Sequence, residues 1–122
     1  MTPPLPRVVD PIVVEHRVGA DSVEIDLVVP HDLHFFRGHF PGAPVVPGVV
    51  QIKWAVSLGQ RYLAIADGFS AMENVKFHRV MTPHSRVTLT LDYAEGARKL
   101  RFSFASADGR YSSGRVVLGT AQ

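Results

Sequence analysis

The chain has 122 residues, 46% of them hydrophobic and 20% charged, a composition that supplies one ordinary globular core. With no cysteine it has no disulfide framework, no thiolate nucleophile and no cysteine metal site. A formal net charge of +2 is mildly basic; it suits steering of an acidic partner, while the absence of any accompanying binding motif argues against nucleic acid.

The first ten residues, MTPPLPRVVD, lack the charged-then-apolar pattern of a secretory leader, and no apolar run approaches the ~20 residues needed to span a bilayer. The expectation is a cytoplasmic protein with a single domain over 1–122. The segment PRVVDPIVVEH is β-branched and reads as a strand that Pro11 breaks or confines to an edge. DSVEIDLVVP alternates, placing Val23, Ile25 and Leu27 on one face before Pro30 ends it. Residues 31–46, rich in His, Gly, Pro and Phe, predict an irregular but packed loop.

From Val49 to about Ala66 the spacing predicts a helix. Ile52, Ala55, Val56, Gly59, Tyr62, Leu63 and Ala66 share an apolar arc, and Gly59 within it suggests close approach of another backbone. Lys53, Ser57 and Gln60 form a narrow polar strip at i, i+4 and i+7. Four strands follow: SAMENVKFHRV, RVTLTLDYA, KLRFSFASA and YSSGRVVLG, with turns at MTPHS, EGAR and DGR. Asp108-Gly109 is the hairpin signal between the last two. Two strands, a long helix and four strands predict an α+β fold, a mostly antiparallel sheet around one central helix. The cluster Arg98, Lys99 and Arg101, with Arg110 and Arg115, reads either as a solvated strand face or as a surface that steers an acidic partner.

Chemistry concentrates in GHFPGAPVVPG. Gly38, Gly42 and Gly48 permit tight backbone, while Pro41, Pro44 and Pro47 stiffen it. Such a loop holds His39 in a set position, as a general base requires. Pro47-Gly48 opens the helix, where free N–H groups favour developing negative charge such as that on a thioester carbonyl. His31 and His34 have poor spacing for zinc without further ligands, and with His16, His78 and His84 they read as structural or exposed. Glu73 and Asp32 are candidate substitute acids. Trp54, Phe35, Phe36 and Phe40 read first as packing, with Phe40 kept beside Pro47 and Ser57 as candidate pocket lining.

The string GHFPGAPVVPGVVQI resembles the signature of the hotdog-fold 3-hydroxyacyl-[acyl-carrier-protein] dehydratases, flanked by DLHFFRGHFPG and MENVKFHRVMTPHSRVTLTLD. The resemblance covers roughly residues 22–94. The QIKWAV helix looks closest to the dehydratase-like proteins of aryl polyene pathways. It implies a hotdog fold, two chains paired edge to edge, sites at the dimer interface, acyl carrier protein as partner, and no cofactor. Higher oligomers and pairing with a homologue stay open. The family's histidine falls on His39 and its oxyanion donors on Gly48 and Val49. Its acidic residue, from the other subunit's helix, falls on Lys53, fourteen positions after His39, and its following polar residue on Ser57.

A buried lysine ammonium gives up its proton more readily than a free one, so Lys53 can stand in for the acid. Against that, the same lysine marks a chain that only binds acyl carriers or completes a heterodimer. A thioesterase is the third reading; the lack of Asp or Glu between Val49 and Ala66 counts against it.

Overall fold

The computed structural model describes residues 7–36 and 44–119. Six strands and one long helix appear in chain order: β1 (Ile12–Val18), β2 (Ser22–Val28), a 3-10 turn at His34–Phe36, α1 (Gly48–Tyr62), β3 (Gly68–Phe77), β4 (Arg86–Ala94), β5 (Lys99–Ser106) and β6 (Gly109–Gly119). The strands form one antiparallel sheet in the order β1-β2-β4-β5-β6-β3. A curved antiparallel sheet around a single helix is the α+β hotdog arrangement.

The alternation read from the sequence sets the inner face of the sheet. Val23, Ile25 and Leu27 of β2 point into the core, as do Val87, Leu89 and Leu91 of β4, and Leu100, Phe102 and Phe104 of β5. Phe102 and Phe104 meet edge to face at 6.1 Å, a geometry that adds to their burial. Burying this apolar surface drives the sheet to wrap the helix. β1 begins at Ile12, directly after Pro11, and occupies an edge as the proline required.

Five details differ from the sequence reading. The helix runs Gly48–Tyr62, ending four residues short of Ala66. The Leu63 N–H donates to the Gly59 carbonyl at 2.9 Å, and Ala64 then turns left-handed at φ 54°, so Ala66 lies beyond the helix and is exposed. The covered surface is also wider than one arc, because Val50, Trp54 and Leu58 are buried too. The amino-terminal segment passes beside that flank: the Trp54 indole N–H donates to the Val9 carbonyl at 2.8 Å, and Asp10, Pro11 and Val13 share a small cleft with Trp54 and Leu58.

Gly59 makes room for a side chain and not for a backbone. A Cβ there would lie 2.9 Å from Leu100 Cδ2. β3 starts at Gly68, ahead of Ser70, because Gly68 and Phe69 pair with Gly119 and Leu118. In the last hairpin Ser106 faces Gly109, so Ala107-Asp108 forms the two-residue turn and Gly109 opens β6 at φ +133°, a conformation suited to glycine.

On the outer face, Arg17 donates to both Asp26 oxygens at 3.0 Å and the Thr88 hydroxyl adds a bond at 2.9 Å. The guanidinium first, then the hydroxyl, hold the Asp26 carboxyl below its usual range. A depressed carboxyl stabilises the fold above its unfolded range and loses that contribution as pH falls through its folded range. Asp26→Asn should therefore cost under about 1 kcal/mol at neutral pH, since the pair is largely solvated. Denaturant titrations should show the two proteins converging in strong acid.

Candidate active site

α1 begins without a side-chain cap at Pro47. The Val50 and Gln51 N–H groups donate to the Pro47 carbonyl at 3.0 and 3.2 Å. Among the described residues no group accepts from the Gly48 or Val49 N–H, as the first turn of a helix dictates. These two donors and the helix dipole make a small positive site. Phe77 of β3 lies over it: a Cβ on Gly48 would come within 2.5 Å of the Phe77 ring, so any larger residue there would have to push the ring aside.

From this point a groove of about 440 Å³ runs along the helix. Val49, Ile52, Lys53, Val56, Ser57 and Gln60 form one wall and Phe69 and Met72 of β3 the other. The polar strip read from the sequence thus lies on one surface of a mostly apolar channel. Val49 is 72% exposed, and Phe69, Met72 and Phe77 are each 52% exposed, so the apolar lining continues onto open surface. Val49 to Gln60 spans about 16 Å at the helical rise, the scale of an extended acyl tail.

Lys53 is exposed, and among the described residues it makes no ion pair. The described residues of its own chain leave it exposed, so the desolvation that eases proton release has to come from elsewhere, such as a second chain or a substrate. Ser57 is exposed beside it, and Gln60 donates from Nε2 to the Asp67 carbonyl at 3.1 Å. Pro47 is half-buried at the helix start. His39 and Phe40 lie outside the described residues.

Neither candidate substitute acid lines the groove. Glu73 pairs with Arg115 across β3 and β6 on the outer face, and its shielded Oε1 lies 2.8 Å from Lys99 Nζ, an approach that serves as an ion pair more than an aligned hydrogen bond. Lys99 holds the Glu73 carboxyl below its usual range. Asp32 is exposed in the turn after β2. The remaining basic residues Arg101, Arg110 and Arg115 share the outer sheet face with Lys76. His31 stacks on His84 with centroids 5.8 Å apart, and His16 tilts against Tyr62 at 4.6 Å; neither pair lines the groove.

Phe69, Met72 and Phe77 were not singled out by the sequence, and the reason is local. β3 has register shifts between Phe69 and Ala71 and between Glu73 and Lys76, with Asn74 at φ 52°. Each bulge changes which face a residue takes, so the spacing of these three departs from strict alternation.

A model of the family described as ApeI-like, ApeI dehydratase, matches residues 15–115. Among solved structures, a chain of the dehydratase heterocomplex ApeI:P from Xenorhabdus doucetiae superposes with a TM-score of 0.83 at 34% identity, covering 89% of this chain and 97% of that one. The 3-hydroxyacyl-[acyl-carrier-protein] dehydratase FabZ of Erythrobacter litoralis is 37% identical over 70 residues, 50% of this chain and 46% of that protein. FabZ of Oenococcus oeni is 33% identical over 84 residues, 62% of this chain and 60% of that protein. The chain thus spans about half to three fifths of the length of these curated relatives.

Proposed function

Since the chain belongs to the ApeI-like dehydratase family, we propose that it dehydrates 3-hydroxyacyl thioesters carried on acyl carrier protein to trans-2-enoyl thioesters. The observation that carries this reading is the apolar groove that starts beside the Gly48 and Val49 N–H groups, which have no acceptor among the described residues. A thioester carbonyl oxygen at the helix start accepts from those two donors, and the acyl tail lies along the groove. His39 takes the proton α to the carbonyl, and the N–H pair stabilises the resulting enolate oxygen. Its electrons form the C2–C3 double bond as the C3–O bond breaks. Lys53 of a second chain gives a proton to the departing hydroxide, which leaves as water. Proton exchange with solvent restores both side chains.

A second chain is part of the proposal. β3 is a ten-residue strand at a sheet edge with exposed Phe69, Met72 and Phe77, a surface that invites pairing with another strand. The relative from Xenorhabdus is named as a heterocomplex, so the partner is either a second copy or a homologue. The heterodimer reading draws on one further observation: no carboxylate lines the groove among the described residues, so an acid has to come from elsewhere if Lys53 does not suffice. That same lack disfavours hydrolysis, for which hotdog thioesterases generally use a carboxylate base or nucleophile on or near this helix. No helix among the described residues is long and apolar enough to cross a membrane.

Incubating the purified protein with carrier-linked 3-hydroxyacyl chains of varied tail should release one water per thioester and no free thiol, as read by mass spectrometry of the carrier. Free thiol from acyl-CoA or acyl-carrier substrates would make it a thioesterase. No water loss, alone or with a homologous partner, would leave a carrier-binding module.

A further inference from the structure

The first turn of α1 carries a buried polar pair that the reaction above does not use. Gln51 is 2% exposed and Ser112 is fully buried, the only two polar side chains buried to this degree among the described residues. The Ser112 hydroxyl donates to Gln51 Oε1 at 2.7 Å, and Gln51 Nε2 donates to the Val46 carbonyl at 3.2 Å. Val46 is held on its other side as well, its N–H donating to the Met81 carbonyl at 2.7 Å. Ser112 is also the cross-strand partner of Phe77, whose ring lies over Gly48. A chain of contacts therefore runs from β6 through Gln51 to the backbone immediately before Pro47.

Fold stability does not account for such a pair. A buried amide and hydroxyl must be fully bonded to break even, and replacing both by apolar groups of similar shape is often neutral or stabilising. What the pair does supply is direction, because hydrogen bonds fix an orientation that apolar packing leaves loose. The group so oriented is the Val46–Pro47 peptide, and the next two N–H groups are those of Gly48 and Val49.

We propose that Gln51, held by Ser112, is a positioning residue that sets the Val46–Val49 turn and so aims the Gly48 and Val49 N–H groups at the carbonyl oxygen of the bound thioester. This inference rests on the dehydratase reading for its catalytic consequence and on the hydrogen-bond geometry alone for its structural one. Misplaced oxyanion donors weaken the transition state more than substrate binding, so the loss falls on kcat.

The test uses Gln51→Met, which keeps length and apolar bulk, with Ser112→Ala and the double variant. Three measurements are made on the full chain: kcat and KM for dehydration, thermal unfolding, and backbone amide resonances. Gln51→Met should lower kcat about tenfold with KM changed less than about twofold, the signature of a lost transition-state contact. Ser112→Ala should lower it by less, and should add nothing once Gln51 is methionine, because the serine acts through the glutamine. The Gly48 and Val49 amide resonances should move in both single variants while those of β4 stay in place. A rise in KM with kcat unchanged, additive losses in the double variant, or unmoved Gly48 and Val49 amides would each overturn the inference. If the parent protein shows no turnover, alone or with a homologous partner, the dehydratase reading fails, and the amide resonances alone decide whether Gln51 sets the turn.

Discussion

With His39 replaced by alanine, dehydration is expected to fall by about 10²- to 10⁴-fold, the usual worth of a positioned general acid–base. The abstracted hydrogen sits on carbon, where no solvent group competes effectively for it, and no described side chain of the groove substitutes for the base. Within the groove the lining side chains are Lys53, Ser57, Gln60 and apolar residues. A lysine ammonium carries no lone pair to accept a proton, while a serine hydroxyl and a glutamine amide are poor bases. Thermal unfolding of His39→Ala should match the parent.

His31→Ala, which removes an exposed ring stacked on His84, provides a histidine control outside the groove and should leave the rate alone. A second readout isolates the base: washout of deuterium from the α position of the substrate into water should stop in His39→Ala. If washout continues while water loss stops, His39 acts on the leaving hydroxyl and another group removes the α proton. An unchanged rate would remove His39 from the chemistry.

How far the sequence carried depends on which physical signal was local. The β2 and β4 faces were legible because period-two alternation survives wherever a strand has one covered face, as at Val23, Ile25 and Leu27. The β4 span RVTLTLDYA matches Arg86–Ala94 for the same reason. The helix end was not legible, because Leu63 and Ala66 continue the apolar spacing past the point where Ala64 turns left-handed. Nor was the second buried flank at Trp54 and Leu58, whose cover comes from residues about forty-five positions away in the chain.

The site divides in the same way. The strip Lys53, Ser57 and Gln60 follows from helical geometry alone and does line one groove. The opposite wall required the bulges of β3, which no period reveals. Gln51 read as one more polar residue in an apolar run, since its partner Ser112 lies sixty-one positions away. Sequence distance, more than residue type, hid these contacts.

The remaining large effect concerns Lys53. A cation in the first half of a helix gains nothing from the helix dipole, which favours acidic residues there, and the first turn of α1 has none. Nor does Lys53 hold an ion pair among the described residues or cover the core, being exposed beside the groove. The dipole and the described contacts therefore give no reason for a lysine at this place beyond its ordinary helix propensity, whereas a bound substrate would supply one, since the proposed enolate oxygen and departing hydroxide are both electron-rich.

Lys53→Met, which keeps the stem and removes the charge, should lower kcat by about 10²- to 10³-fold, as loss of a directed electrostatic donor does. Thermal unfolding should hold or rise, because no partner group is left unpaired. Lys53→Glu should also lose activity in this chain if the ammonium is the donor, because it reverses the charge at that point; a glutamate works there only in a site that keeps its carboxyl protonated. Together, an active parent and two inactive variants place Lys53 in the chemistry. The opposite pattern, an inert parent that gains turnover as Lys53→Glu, means that the second chain must bring the acid. In that case mixing the parent with a homologue bearing a carboxylate at this helix position should restore dehydration, and the activity belongs to the mixed pair.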